Sequence, residues 1–408
     1  MAPVPQWAPA PAEYDDLALA LDGIFPDVSV TVPADRAPEP GEVLDLTDPE
    51  GTPVARLRIA SCVRQDQRHA LSGPVTALAP REDGVFRHLH RTPADVRNEY
   101  AGKRIGSLLV DAPLDSEALD RLARLISSYD VVVLLALVGA GSPRGLSPHG
   151  LVRATRAAAE LLPGQPLVVP VPLARRADPD ADAERRRLVA EAYGEPLDLP
   201  ELPAGGEVTP DRYPAAVASI IRAEHPPPHE RGVVVFFTGL SGSGKSTLAR
   251  RLRDLLLERG DRTVTLLDGD VVRRMLSAGL GFSKADREAN IRRIGFVAAE
   301  VARHGGLAIC APIAPYASTR AEVRQMVAEA GGDFVLVHVA TPLAECERRD
   351  RKGLYAKARA GEIKEFTGIS DPYEEPTDAD LALDTSTLSV DDAVGQVVEL
   401  LTKRGILA

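Results

Sequence analysis

The stretch VVVFFTGLSGSGKSTLARRLRDLLLERG, residues 233–260, restricts this chain more than any other. Its first six residues form the continuous apolar run that a strand buried on both faces requires. A glycine-rich loop follows, and a helix-period pattern begins at Lys245. Gly239, Gly242 and Gly244 let loop N–H groups turn inward onto phosphate oxygens. The helix N-terminus adds partial positive charge. The spacing runs through Gly239, Leu240, Ser241, Gly242, Ser243, Gly244, Lys245, Ser246 and Thr247 without a gap. In it Lys245 reaches the β/γ-phosphates and the Ser246 hydroxyl faces Mg²⁺, so the motif implies ATP with Mg²⁺. It leaves kinase, ATPase and GTPase open.

The surroundings fix a fold class. Apolar runs at 233–238, 263–267, 307–311, 334–340 and 380–384 alternate with helical patterns at 245–259, 285–304, 318–330 and 390–403. Such alternation predicts a doubly wound parallel α/β domain. A second α/β texture precedes it. Strands are expected at SLLVDA, DVVVLLALV and PLVVPVPL, with helices at 116–128, 150–162 and 181–193. Residues 1–110 read as short strands split by turns, with EVLDLTD and PVARLRIA flanking PEG as a hairpin. RAEHPPPHERG (222–232) is Pro-rich and polar, the composition of a semi-rigid linker.

Composition excludes several classes. A net charge of −11 opposes general nucleic-acid binding, which needs clustered Lys and Arg. Three cysteines make no disulfide framework and show no metal spacing, which fits a reducing cytoplasm. The N-terminus lacks the pattern of a signal peptide, and DVVVLLALVGAG is too short to span a bilayer, so no membrane association is expected.

A transferred phosphate needs an acceptor. Asp268 and Asp270 lie where the strand TVTLLDGD ends, at the edge where α/β proteins bind ligands. A carboxylate there can orient an acceptor hydroxyl and take its proton. Asp270 also fits a cap for a helix starting at Val271. In GFSKADREANIRRIG, Phe282, Arg287 and Asn290 surround a helix start, and Arg273 lies one turn past Asp270. Arginines suit planar recognition of phosphate or sulfate. By charge pattern alone, Arg287, Arg292 and Arg293 also fit a solvated face paired with Asp286 and Glu288. Residues 350–374 are basic, glycine-containing and poorly periodic, as a mobile cover would be. Phe366 within them can stack on a base.

GLSGSGKST, LDGDVVR, GFSKADREANIRRIG, CAPIAPY, TPLAECERRDRKGLYAKARAGEIKEFTGISDPYE and LALDT resemble, in order and spacing, the adenylylsulfate kinases (APS kinases) over nearly all of 232–408. The resemblance implies that ATP phosphorylates the ribose 3′-hydroxyl of adenylylsulfate in the cytoplasm, and it suggests a homodimer. Adenine would lie between Phe282 and Phe366. Arg273, Arg287 and Asn290 would hold the phosphosulfate and ribose. Ile313 would line the pocket, Lys352 would reach in from the cover, and Asp270 would face the 3′-hydroxyl. Two positions depart from the family: Val271 replaces a frequent Asn, and Ala314 replaces a serine, which removes any phosphoserine route.

VLDLTDPEGTPVARLRI, LSGPVTALAP and FRHLHRTPADVR look like the N-terminal PUA-like domain of ATP sulfurylases. DVVVLLALVGAGSPRGLSPHGLVRATRAAAELL looks like the start of their nucleotidyltransferase domain. Of that family's paired histidines the segment offers only His149, and the later GRDHAG-type motif is absent. The expected organisation is therefore a PUA-like domain (1–110), a truncated sulfurylase-like α/β domain (111–205), a linker (206–231) and the kinase-like domain (232–408). The first two are expected to lack catalysis; a bifunctional sulfurylase/kinase and a non-catalytic nucleotide sensor are the alternatives.

Overall fold

The computed structural model describes residues 4–33, 39–65, 67–79, 84–197, 199 and 210–407, apart from the side chains of Gln65 and Asp270. The chain divides into two compact units, Met1–Glu224 and His225–Ala408.

The first unit opens with β1 (Gln6–Trp7), α1 (Pro11–Leu21), β2 (Val28–Pro33), β3 (Val43–Thr47), β4 (Pro53–Arg58), β5 (Ser61–Gln65), β6 (Arg68–Gly73) and β7 (Val75–Ala77). These strands form two small sheets, β1-β3-β4-β7 and β2-β6-β5. The expected hairpin is the antiparallel β3–β4 pair. Alternate residues Val28, Val30 and Val32 point into one core with Leu44, Leu46 and Leu57, as a pleat of period two dictates.

There follow α2 (Pro93–Glu99), β8 (Ile105–Val110), α3 (Ser116–Leu125), β9 (Val131–Leu137), α4 (Pro148–Glu160), β10 (Leu167–Val171), α5 (Pro179–Tyr193), β11 (Glu195–Pro196) and α6 (Ala215–Glu224). The strands make a parallel sheet in the order β10-β9-β8-β11. β9 is covered on both faces: Val132 and Leu134 enter one core, and Val133, Leu135 and Leu137 enter the other. The boundary expected at 110 falls after β8, yet β8 pairs with β9 and β11. The change of architecture therefore lies before β8, because a lone apolar run does not name its pairing partner. The stretch read as a linker, 206–231, contains α6. Val217 and Ile221 of that helix are buried with α3 and α4. Glu224 accepts from Ser147 N (2.7 Å) and Ser147 Oγ (2.6 Å), which fixes α6 to the start of α4.

The second unit contains β12 (Val233–Thr238), α7 (Lys245–Arg259), β13 (Val264–Asp268), α8 (Gly269–Met275), α9 (Lys284–Arg303), β14 (Leu307–Ala311), α10 (Ala317–Glu329), β15 (Asp333–Val339), α11 (Leu343–Arg349), α12 (Leu354–Arg359), β16 (Leu381–Leu383) and α13 (Val390–Lys403). Its parallel sheet runs β13-β14-β12-β15-β16, with β12 at the centre. Every residue of β12 is buried. Val233, Val235 and Phe237 face α7 and α13, while Val234 and Phe236 face α9 and α10. Helices on both faces make this the doubly wound α/β fold expected, and they put the loops after β12, β13 and β14 along one edge.

Candidate active site

The loop after β12 takes the form its glycines allow. Gly239 and Gly244 have φ of 149° and 104°, which side chains rarely adopt. A Cβ on Gly239 would sit 2.5 Å from Val339 O, so this glycine also permits close approach of β15. Thr341 Oγ1 (3.0 Å) and Thr385 Oγ1 (2.8 Å) donate to Ser243 O and anchor the loop from behind.

Lys245 is buried, and its Nζ donates to Gly239 O (2.8 Å) and Leu240 O (2.7 Å). The ammonium is folded onto the carbonyls of its own loop. Burial lowers its pKa to about 8, while Asp268 and Cys346 favour the charged form and the Lys352 cation opposes it. Below pH 8 the site therefore holds a ready cation; above it, phosphate binding must take up a proton. ATP affinity is expected to fall about tenfold per pH unit above roughly pH 8, and Lys245→Arg to flatten the dependence. Calorimetric titration from pH 7.5 to 9.5 checks this; a flat profile for the unaltered chain excludes Lys245 as the group.

Asp268 ends β13 and is 4% exposed. Its Oδ1 accepts from Ser246 Oγ (3.3 Å) and its Oδ2 from Arg250 (3.0 Å). A carboxylate and a hydroxyl beside the phosphate loop are hard oxygen donors. Magnesium commonly takes one or two protein oxygens and leaves its other positions to phosphate and water, so the residues fit Mg²⁺. Asp270 lies inside the first turn of α8, which begins at Gly269 rather than Val271, so it does not precede the helix as a cap.

The far end of the site is built by α9 and residues 350–374. Arg287 is buried at 8% exposure. Its Nη1 donates to Glu365 O (2.9 Å) and Thr367 Oγ1 (3.1 Å), and its Nη2 to Tyr316 OH (2.8 Å). Asp371 is its counter-ion at 3.0 Å. Burial and the hydrogen bond to Asp371 raise the Tyr316 pKa to about 12, so the phenol stays a donor. Two buried polar atoms here have no partner, Arg287 Nε and Asn290 Oδ1. By contrast, Arg292 pairs with Glu322 and Glu288 on the surface, as a solvated face predicts. Arg273 stacks over Phe282, 4.4 Å from the ring centroid, and Phe282 is 64% exposed. Phe366 meets Tyr355 edge-on at 5.0 Å.

One cavity of about 1370 Å³ joins the two ends. Ser241, Gly242, Gly244, Lys245, Ser246, Thr247 and Asp268 line it on the phosphate side. Arg273, Phe282, Arg287, Asn290, Ile313, Lys352 and Phe366 line the rest. Gly239, Leu240 and Ser243 are outside the lining and form the loop's back; the Asp270 side chain lies outside the described residues. Its basic lining residues outnumber its acidic ones, nine to four, so an acidic chain presents a local field for anions here.

Sequence reasoning missed several residues. Tyr355 OH donates to Ser241 O (2.9 Å) and docks the cover on the phosphate loop. Thr367, Tyr316 and Asp371 complete the Arg287 nest. Thr238 Oγ1 donates to Ile313 O (2.6 Å), and Arg320 Nη1 donates to Ala314 O (2.8 Å), holding Ala314 at a φ of 46°. Arg320 Nη2 also donates to Glu374 O (2.8 Å); each of these residues is fixed by at least one contact distant in sequence, which gives no local signal.

A doubly wound sheet with a glycine loop cradling Lys245, and a second recognition end in the same cavity, defines a P-loop nucleotide-dependent phosphotransferase domain. Residues 231–384, within the second unit, match the family model of adenylylsulphate kinase. A sulfate adenylyltransferase of Phaeosphaeria nodorum is 53% identical over 195 residues, 48% of this chain and 34% of that protein. One from Neosartorya fischeri is 50% identical over 193 residues, 47% of this chain and 33% of that protein. The chain thus spans about a third of the length of the curated relatives it matches. The solved structure of a hexameric APS kinase from Thiobacillus denitrificans matches with a TM-score of 0.81 and 28% identity, over 99% of this chain and 94% of that one. The Mycobacterium tuberculosis APS kinase CysC, in complex with AMPPNP and APS, is 50% identical over 43% of this chain and 99% of that one, with a TM-score of 0.41. No helix among the described residues is long and apolar enough to cross a membrane.

Proposed function

We propose that the second unit transfers the γ-phosphoryl group of ATP to the ribose 3′-hydroxyl of adenylylsulfate, giving ADP and 3′-phosphoadenylylsulfate. The carrying observation is the single cavity with a phosphate loop at one end and the unpartnered Arg287 Nε and Asn290 Oδ1 at the other. Its volume of about 1370 Å³ exceeds the usual 300–1,000 Å³ of a site for one small ligand and suits two nucleotides end to end.

ATP would lie with its phosphates on the 239–247 loop. Lys245 would leave its loop carbonyls for the β/γ-phosphates and stabilise charge that develops in transfer. Ser246 and Asp268 would hold Mg²⁺, which when bound neutralises charge on those phosphates. Arg273, Arg287 and Asn290 would fix the phosphosulfate and ribose, with the adenine between Phe282 and Phe366, Ile313 below and Lys352 above. The 3′-oxygen bonds to the γ-phosphorus as the bond to the β,γ-bridging oxygen breaks. The hydroxyl proton passes to Asp270. Ala314 offers no hydroxyl for a covalent intermediate, so transfer is direct and in line.

The first unit is read as silent in sulfate adenylylation. Its His149 is exposed at the start of α4. ADP release with Mg-ATP, with and without adenylylsulfate, tests the reading as a whole. Stimulation with a 3′-phosphorylated product is expected, and no adenylylsulfate from ATP and sulfate. ATP binding without stimulation would instead favour a sensor. Asp270→Ala should cut turnover by about 10²–10⁴ and leave ATP affinity unchanged; normal turnover would remove Asp270 from the mechanism.

A further inference from the structure

The first unit contains a second cavity, of about 970 Å³, that the transfer reaction does not use. Its place follows from topology. β8, β9 and β10 step successively to one side, and β11 returns to the other side of β8. The switch in direction lies between β8 and β11, and parallel sheets open a ligand crevice at the carboxyl end of such a point. The cavity lies there, between Val110 and Asp111 after β8 and Pro196 and Leu197 at β11.

The wall is rich in guanidinium. Seven arginines line the cavity against four carboxylates, within a chain whose net charge is −11. The arginines are held in place by ion pairs at their edges. Arg144 and Arg186 clasp the two oxygens of Asp111 at 2.6 and 2.9 Å, and Arg212 pairs with Asp115 at 2.8 Å. Arg144 Nε is buried with no acceptor. The Arg175 guanidinium makes no hydrogen bond or ion pair among the described residues. Arg121 pairs with Glu117, Arg176 with Asp16 and Arg187 with Glu184 and Glu191, so among the described residues Arg175 is the lining arginine left to offer its planar donor fork, a shape that suits phosphate or sulfate. Leu114, Ala118, Leu197 and Leu199 supply an apolar wall. The volume is far larger than a tetrahedral anion needs and lies in the range of small-molecule sites. Among the described residues no histidine, cysteine or lysine lines the cavity, and each of its four carboxylates is held in an ion pair with an arginine, so none is poised as a general base.

We propose that this cavity is a second, non-catalytic binding site for a nucleotide-sized phosphate or sulfate ester, its anionic group on Arg144, Arg175 and Arg186 and its flat apolar part on Leu114 and Leu197. The site acts by occupancy alone, and its ligand exchanges unchanged.

Adenosine 5′-monophosphate is the probe, titrated calorimetrically into the full chain already saturated with Mg-AMPPNP. One further equivalent is expected to bind, and adenosine, lacking the anion, is not. Arg175→Gln should weaken binding by roughly tenfold or more, the loss of a charge-assisted contact. Ala183→Trp, which fills the cavity from α5 and breaks no ion pair, should abolish it. No uptake by the unaltered chain overturns the proposal. So does uptake that survives both substitutions, since that ligand would lie at the acceptor end of the other cavity.

Discussion

Asp268→Asn is expected to lower kcat by about 10³, equivalent to about 4 kcal/mol at 1.36 kcal/mol per tenfold, and to raise the Mg²⁺ concentration needed for half-maximal rate. The carboxylate is 4% exposed at the end of β13 and meets Ser246 and Arg250. Asparagine keeps the shape and removes the charge. A metal site then loses its one anionic protein oxygen, and charge developing on the transferred group loses the ion that would offset it. Arg250 also loses its partner, but its side chain is 56% exposed, so water replaces most of that contact. The Mg²⁺ titration separates the two roles. A loss of rate with unchanged Mg²⁺ dependence would leave Asp268 as an anchor for Arg250 and Ser246, not a metal ligand.

What sequence could show tracks how local the cause was. β12 and α7 begin and end where the apolar run, the glycines and the helical period place them. There a strand buried on both faces and a fixed motif spacing leave little choice. The cover was legible as irregular and basic, but not the short helix within it or the one just before it. α11 and α12 have seven and six residues, too few to carry a period or to persist without tertiary support. Arg287 and Arg292 show the limit most clearly. Both stand in one charged run, yet Arg292 faces solvent with Glu322, whereas Arg287 is enclosed by residues 365–371. No rule about the run itself separates them; the docking of a cover some eighty residues away does. The β8 boundary fails for a related reason, since pairing partners are set by the whole sheet.

Arg287→Gln is therefore a test of the cover as much as of the substrate. The guanidinium donates to Glu365 O, Thr367 Oγ1 and Tyr316 OH and balances Asp371, and the residue lines the cavity. Glutamine cannot reach all of these groups or neutralise Asp371, and a buried charge without its partner is costly, about 3–5 kcal/mol. The KM for adenylylsulfate is expected to rise by about 10² or more, with the affinity for ATP nearly unchanged. Backbone amides of 365–371 should exchange faster with solvent as the cover loosens. Arg287→Lys should restore charge to Asp371 but not the fork, and so should recover exchange protection more than substrate affinity. Faster exchange with an unaltered KM would make Arg287 a strut of the cover only. A raised KM with unaltered exchange would make it a substrate ligand that the cover does not need. The geometry predicts both effects together, because the same side chain ties down the cover and lines the cavity.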